Sequence, residues 1–273
     1  MQLDLYSRCR LPVVIDLNQL RVELTHWTYK MDGLIAHTVD KLKPYFLNAV
    51  VIFTDTVYLT AWLSRNANDD DLPIRIKVSV INPYFVGVEF PRTKPIVCKK
   101  YPRALELLEG EGMVILYPEE IVDKNMNLEN VENKVFFVDL KASQKLIIPA
   151  GWVYTVVNTG NSPLVFMEIH FKDQPKNILE RKKKTPPFII LVRSEDKEVV
   201  KNPKYRYIKN YVQVDPVSVV RQFNIAPKIS LLSQLLKSTT KFDWLFTPNG
   251  GDIFKEFEDL LIKAQIIEAE NEG

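Results

Sequence analysis

The segment Ile148-Pro149-Ala150-Gly151-Trp152-Val153-Tyr154-Thr155-Val156-Val157-Asn158 restricts the possible folds of this chain more than any other. Lys145 to Ile148 is a short apolar run rich in β-branched residues, Pro149-Ala150-Gly151 punctuates it, and Thr155 to Val157 resume a strand. Asn158-Thr159-Gly160-Asn161 then turns the chain, and Leu164 to Phe171 reads as the returning strand. A β-hairpin entered through a tight proline-glycine corner is how a small barrel aims one side chain into its cavity. Here that side chain is Tyr154.

Further motifs stand in order around this corner. They are Pro83-x-x-Val86-Gly87-x-Glu89-Phe90 with Thr93-Lys94, then Leu108-Glu109-Gly110-Glu111-Gly112-Met113, and finally Val199-Val200-Lys201-Asn202-Pro203-Lys204-Tyr205. With the corner itself, they give residues 75 to 207 the order and spacing of the cupin-type phosphoglucose isomerases of archaea, and the chain resembles that metal-dependent glucose-6-phosphate isomerase family. The resemblance implies a mainly β fold with a cupin jelly-roll barrel over 75–207, and outside it the residues read as an N-terminal strand extension over 1–74 and a C-terminal helical segment over 208–273. It also implies a homodimer.

Carried over position by position, the resemblance implies a lost metal site. The family's His-x-His pair falls on Ile96 and Cys98, its ligand glutamate on Arg103, and its last histidine on Tyr154. Imidazole and carboxylate suit a divalent ion. A phenol with a pKa of about 10 does not, and a guanidinium repels a cation. No metal and no other cofactor is therefore expected. The family's phosphate-binding hydroxyls match Ser79 and Thr93, while the glycine N–H beside them matches Pro95, which has none to donate. Leu105 and His170 stand at two tyrosine positions, and Lys176 at a histidine.

These matches lead to three functional readings. In the first, Ser79, Thr93, Arg103, Tyr154 and Lys176 line a metal-free pocket for a sugar phosphate or similar small anion, in a sensing or regulatory role, with Arg103 gripping the anion bidentately. In the second, Arg103 supplies the electrostatics and His170 the base of a surviving isomerase of glucose 6-phosphate and fructose 6-phosphate. In the third, Tyr154 and Leu105 fill the old pocket of a structural or assembly protein. Each residue also has a plainer reading: Arg103 at the barrel rim, His170 as an ordinary interior or surface histidine, Cys98 as a small buried hydrophobe.

The remainder of the chain bounds these readings. With 36 Lys and Arg against 34 Asp and Glu, no global field calls for nucleic acid or a membrane surface. Cys9 and Cys98 do not form a disulfide framework, Met1 to Leu11 is too polar for a leader, and no long apolar run occurs, so a cytoplasmic protein is expected. Leu20 to Met31 alternates as a strand, and Ala49 to Phe53 with Val57 to Leu63 reads as a hairpin. The aspartates of 66–73 read as a solvated loop rather than a calcium site, and 118–134 as a long connection. Arg181-Lys182-Lys183-Lys184 is the one concentrated basic run and reads as a surface loop.

Beyond residue 207, Asp215-Pro216 predicts an N-cap with proline at N1 and a helix through Phe223. A second helix is predicted over Pro227 to Lys237, and a long amphipathic one after Gly250-Gly251. The spacing of the first two over 217–237 resembles a helix-turn-helix, but Lys228 and Lys237 are few cations for DNA, so packing on the barrel or dimerisation is the expected role.

Overall fold

A computed structural model of the chain describes residues 1–47, 56–66, 72–122, 134–175, 185–193, 196–205 and 208–266. In chain order the strands are β1 (Gln2–Asp4), β2 (Val13–Asp16), β3 (Arg21–Leu24), β4 (Tyr29–Thr38), β5 (Thr56–Arg65), β6 (Ile74–Ile81), β7 (Ile96–Val97) and β8 (Arg103–Glu109). They continue with β9 (Glu111–Pro118), β10 (Phe136–Lys141), β11 (Lys145–Ile148), β12 (Trp152–Asn158), β13 (Leu164–Phe171), β14 (Phe188–Arg193), β15 (Asp196–Lys201) and β16 (Val212–Gln213). The helices are α1 (Leu5–Cys9), α2 (Val39–Leu42), α3 (Pro216–Gln222), α4 (Leu231–Lys237), α5 (Asp243–Phe246) and α6 (Phe257–Lys263).

Two sheets, ordered β11-β8-β13-β6-β5-β4 and β16-β10-β9-β12-β7, form a cupin jelly roll. Period-2 alternation decides what each face carries. Along β9, Val114 and Leu116 belong to the main hydrophobic core, whereas Met113, Ile115 and Tyr117 join a second core with Phe188 and Ile190 of the β14–β15 ribbon. The six-stranded sheet is likewise covered on both sides: Ile74, Ile76, Val78 and Val80 of β6 share one core with Leu5, Cys9, Val13 and Ile15 of the N-terminal elements. The intervening residues Arg75, Lys77 and Ser79 therefore occupy the opposite face.

The first 74 residues supply two strands of the main sheet, since β4 pairs with β5 and β5 with β6. The strand expected over Leu20 to Met31 is two strands, broken where His26 Nδ1 and the Thr28 hydroxyl lie 2.6 Å apart and Thr28 N–H points back at the same ring. Its alternation runs through this turn, so periodicity alone could not place the break. Ala49 to Phe53 and Arg181 to Lys184 lie outside the described residues, so one arm of the hairpin expected over 49–63 is not described; the other, β5, has β4 and β6 as its neighbours.

The C-terminal segment packs on the barrel. Asp215 caps α3 by accepting from Val217 N and Ser218 N at 3.1 and 3.0 Å, with Pro216 in the first turn. The α4 N-terminus is held by Ser230 and by Glu106 of β8, whose Oε2 accepts from Leu231 N at 2.7 Å. Lys145 clamps the same carboxylate at 3.5 Å and donates to Pro227 O at 2.6 Å. Val219, Val220, Leu231, Leu232 and Leu235 are buried, so both helices of the 217–237 pair spend their apolar faces on the chain itself. The long final helix is instead a 3-10 turn at Asp252–Phe254 followed by short α6. Phe254 rings against Phe223, Trp244 and Phe257, and that aromatic packing outweighs continuous helix.

Two glycines test the packing. A Cβ at Gly112 would stand 2.7 Å from Val157 O and 2.8 Å from Leu164 Cδ1, whereas at Gly33 nothing lies within 4 Å. Gly112→Ala is expected to destabilise the chain by about 1–3 kcal/mol through overpacking against backbone. Gly33→Ala should be neutral or stabilising by about 0.4–1 kcal/mol through the unfolded chain. Urea midpoints of the two variants check the contrast.

Candidate ligand-binding site

Register brings the inward side chains of the six-stranded sheet into rows. Arg75, His170 and Arg103 are cross-strand partners on β6, β13 and β8, while Trp62, Lys77 and Glu168 form the adjacent row on β5, β6 and β13. A cavity of about 300 Å³ opens against these rows. Its walls are Ile35 and His37 of β4, Tyr58, Thr60 and Trp62 of β5, and Arg75 and Lys77 of β6. Lys94, Pro95, Ile96, Arg103, His170, Gln174 and Pro175 complete it.

Arg103 lies inside the barrel, 1% exposed. Its Nη1 donates to Tyr154 Oη at 3.0 Å and approaches Glu168 Oε1 at 3.3 Å, and the guanidinium also hydrogen-bonds Cys98. Tyr154 in turn donates to Glu168, whose other oxygen pairs with Lys77. Tyr154 pairs in register with Ile96. Positions 96, 98, 103 and 154 thus converge, with a guanidinium among them. Burial pushes Glu168 upward and Lys77 downward from their ordinary pKa values, and their mutual pairing opposes both trends. Burial likewise raises the Cys98 thiol to about 11, against the pull of Arg103 and Lys77.

Ser79 and Thr93 do not line the cavity. Ser79 Oγ is 3.1 Å from Thr60 Oγ1, and Thr93 Oγ1 accepts from Val156 N at 3.1 Å, both fully inside the core. Leu105 is buried, Pro95 stands in the cavity wall, and Lys176 lies outside the described residues. His170 does line the cavity, and its Nδ1 is 2.9 Å from Phe171 O. Burial, the Arg103 charge and more weakly Lys77 and Arg75 hold its pKa well below 6.5, so the ring is neutral.

Sequence reasoning missed His37, Trp62, Arg75, Lys77, Lys94 and Glu168. The signal was present in Ile74-Arg75-Ile76-Lys77-Val78-Ser79-Val80, whose strict alternation gives one wholly polar face. Ordinarily that face meets water. Here the apolar residues join the main core, Lys77 and Ser79 are buried, and Arg75 stays exposed where it lines the cavity.

The two-sheet jelly roll is that of a cupin. Residues 47–207 match the glucose-6-phosphate isomerase family, more than half of the chain, and the chain belongs to that family. Curated relatives include the glucose-6-phosphate isomerases of Thermococcus onnurineus (strain NA1), 25% identical over 179 residues spanning 63% of this chain and 87% of that one, and of Thermococcus kodakarensis, 25% identical over 180 residues with the same coverage. Among solved structures, an oxalate oxidase overlays at a TM-score of 0.31 and 13% identity over 40% of this chain and 46% of that one, a likeness too distant to bear on function. No helix among the described residues is long and apolar enough to cross a membrane.

The ion cluster sets a further expectation. Glu168→Gln leaves Lys77 and Arg103 buried without their carboxylate and should destabilise the fold by roughly 3–5 kcal/mol, measured by urea unfolding.

Proposed function

We propose that this family member binds a sugar phosphate or a similar small organic anion without metal, in a sensing or regulatory role rather than as an isomerase. The observation carrying this reading is the cavity lining. Arg75, Lys77, Lys94 and Arg103 contribute cationic side chains and no aspartate or glutamate joins them at the wall. Arg75 and Lys94 pair with no carboxylate among the described residues, which leaves both to meet an anion. Because Ser79 and Thr93 are engaged inside the core, the anion is assigned to Arg75 and Lys94 instead.

The residues at the family's metal positions do not fit a divalent ion. Ile96 offers no donor, burial keeps Cys98 protonated, the Tyr154 hydroxyl keeps its proton and donates a hydrogen bond to Glu168, and Arg103 brings a positive charge. Isomerisation also needs an oxyanion stabiliser that is free at the substrate. The Nη1 of Arg103 is engaged by Tyr154 and Glu168, which favours binding over turnover. The expected homodimer is assigned to the outer edge of β4, where Leu34 and Ile35 are exposed.

His37 provides the test. It stacks on Tyr58 at 3.9 Å, and burial together with Lys94, Lys77 and Lys41 depresses its pKa to about 3. Because the unfolded value is 6.5, the unfolded chain takes up this proton first, so the contribution of His37 to stability is full above pH 6.5 and lost as pH falls towards 3. An anion beside Lys94 and Lys77 should raise the His37 pKa, visible in proton NMR because the chain has only 3 histidines. Titration calorimetry of chelator-treated protein with fructose 6-phosphate should show binding, unchanged by added divalent metal, with no conversion to glucose 6-phosphate. Binding that appears only with metal, or a His37 titration indifferent to the sugar phosphate, would overturn the proposal.

A further inference from the structure

His170, a residue of the cavity lining, carries one buried polar atom that the anion reading leaves unused. His170 is 3% exposed, lines the cavity, and its Nε2 has no hydrogen-bond partner. Its state follows from its neighbours. The atom opposite Nδ1 is a carbonyl oxygen, Phe171 O at 2.9 Å, and a carbonyl can only accept, so Nδ1 carries the proton. In a neutral ring Nε2 is then a bare lone pair, an acceptor that cannot donate. Trp62 stands edge-on to the ring at 5.6 Å and 85°, fixing its plane.

We propose that His170 Nε2 is a specificity-determining acceptor, selecting anions that carry a hydroxyl or another O–H or N–H donor beside their charged group. The inference rests on the anion-binding reading of the same cavity. A buried acceptor left unmade costs the complex free energy, so an otherwise identical ligand lacking the donor is rejected. Neutrality is essential to this role. An imidazolium would donate and prefer a second anionic oxygen, but burial and the charges of Arg103, Lys77 and Arg75 disfavour it. Trp62, Tyr58 and Pro95 supply the flat apolar walls against which the carbon chain of such a ligand packs.

The test compares ligands of equal charge and carbon skeleton. Glycerol 3-phosphate and propyl phosphate differ only in hydroxyls, as do glucitol 6-phosphate and hexyl phosphate, and calorimetry on the full chain measures all four beside fructose 6-phosphate. In at least one pair, the hydroxylated ligand is expected to bind about tenfold tighter or more. His170→Phe should abolish that ratio, and His170→Gln, which keeps an acceptor, should retain part of it. Nitrogen-15 NMR of the unaltered protein reads the same event without a variant: the Nε2 resonance shifts to its hydrogen-bonded position with the hydroxylated ligand only. Equal binding within both pairs, or a ratio that survives His170→Phe, overturns the role of His170 while leaving anion binding intact. No binding by any of the five phosphates overturns the anion reading itself, and this inference with it.

Discussion

The buried contact between Arg103 and Glu168, with Tyr154 and Lys77 closing around it, is the constraint on which the interior depends. It joins the two sheets of the barrel, because Tyr154 comes from β12 and the charged partners from β6, β8 and β13. A guanidinium in that place is a permanent charge, which a metal is not. On the proposed metal-free reading, the site would need no loading and its electrostatics would not vary with the supply of ions. The same permanence has a cost, since two cations and one carboxylate stay desolvated whether or not a ligand is present.

The two-sided burial of the six-stranded sheet explains how such an interior is tolerated. A barrel whose inner face carries Lys77, Glu168 and His170 draws only part of its stability from that face, where Leu105, Phe166 and Leu116 are buried as well. The apolar alternates of β6 sit against the N-terminal elements, and those of β9 against the β14–β15 ribbon. Hydrophobic burial is thus shared between the interior and the outer faces, which leaves part of the interior polar.

Much of this was legible in the sequence. The Pro149-Gly151 corner, the Asp215 cap and the positions of Arg103 and Tyr154 all follow from local rules or from family spacing, whereas the hairpin expected after the corner does not form: β12 pairs with β9 and β7 in one sheet, and β13 with β6 and β8 in the other. What escaped was anything requiring knowledge of which side of a strand is covered. Arg75 and Lys77 were not singled out because alternation says only that two faces differ, not which one is inside. Ser79 and Thr93 matched by spacing, yet their hydroxyls are satisfied by Thr60 and Val156, partners brought close only by the fold. The final helix failed for a similar reason, since the aromatic cluster around Phe254 is assembled from three separate segments.

The grip of Glu106 on α4 has a meaning for the cavity as well. Glu106 and Arg103 stand on opposite faces of β8, three residues apart on one stiff strand. A slip of a single residue in that strand would carry Arg103 out of the barrel and put Ala104 in its stead. By fastening the outward carboxylate to Leu231 N and Lys145, the C-terminal helices pin the strand's alignment from behind. Residues that never meet a ligand thereby decide which side chain the ligand would meet.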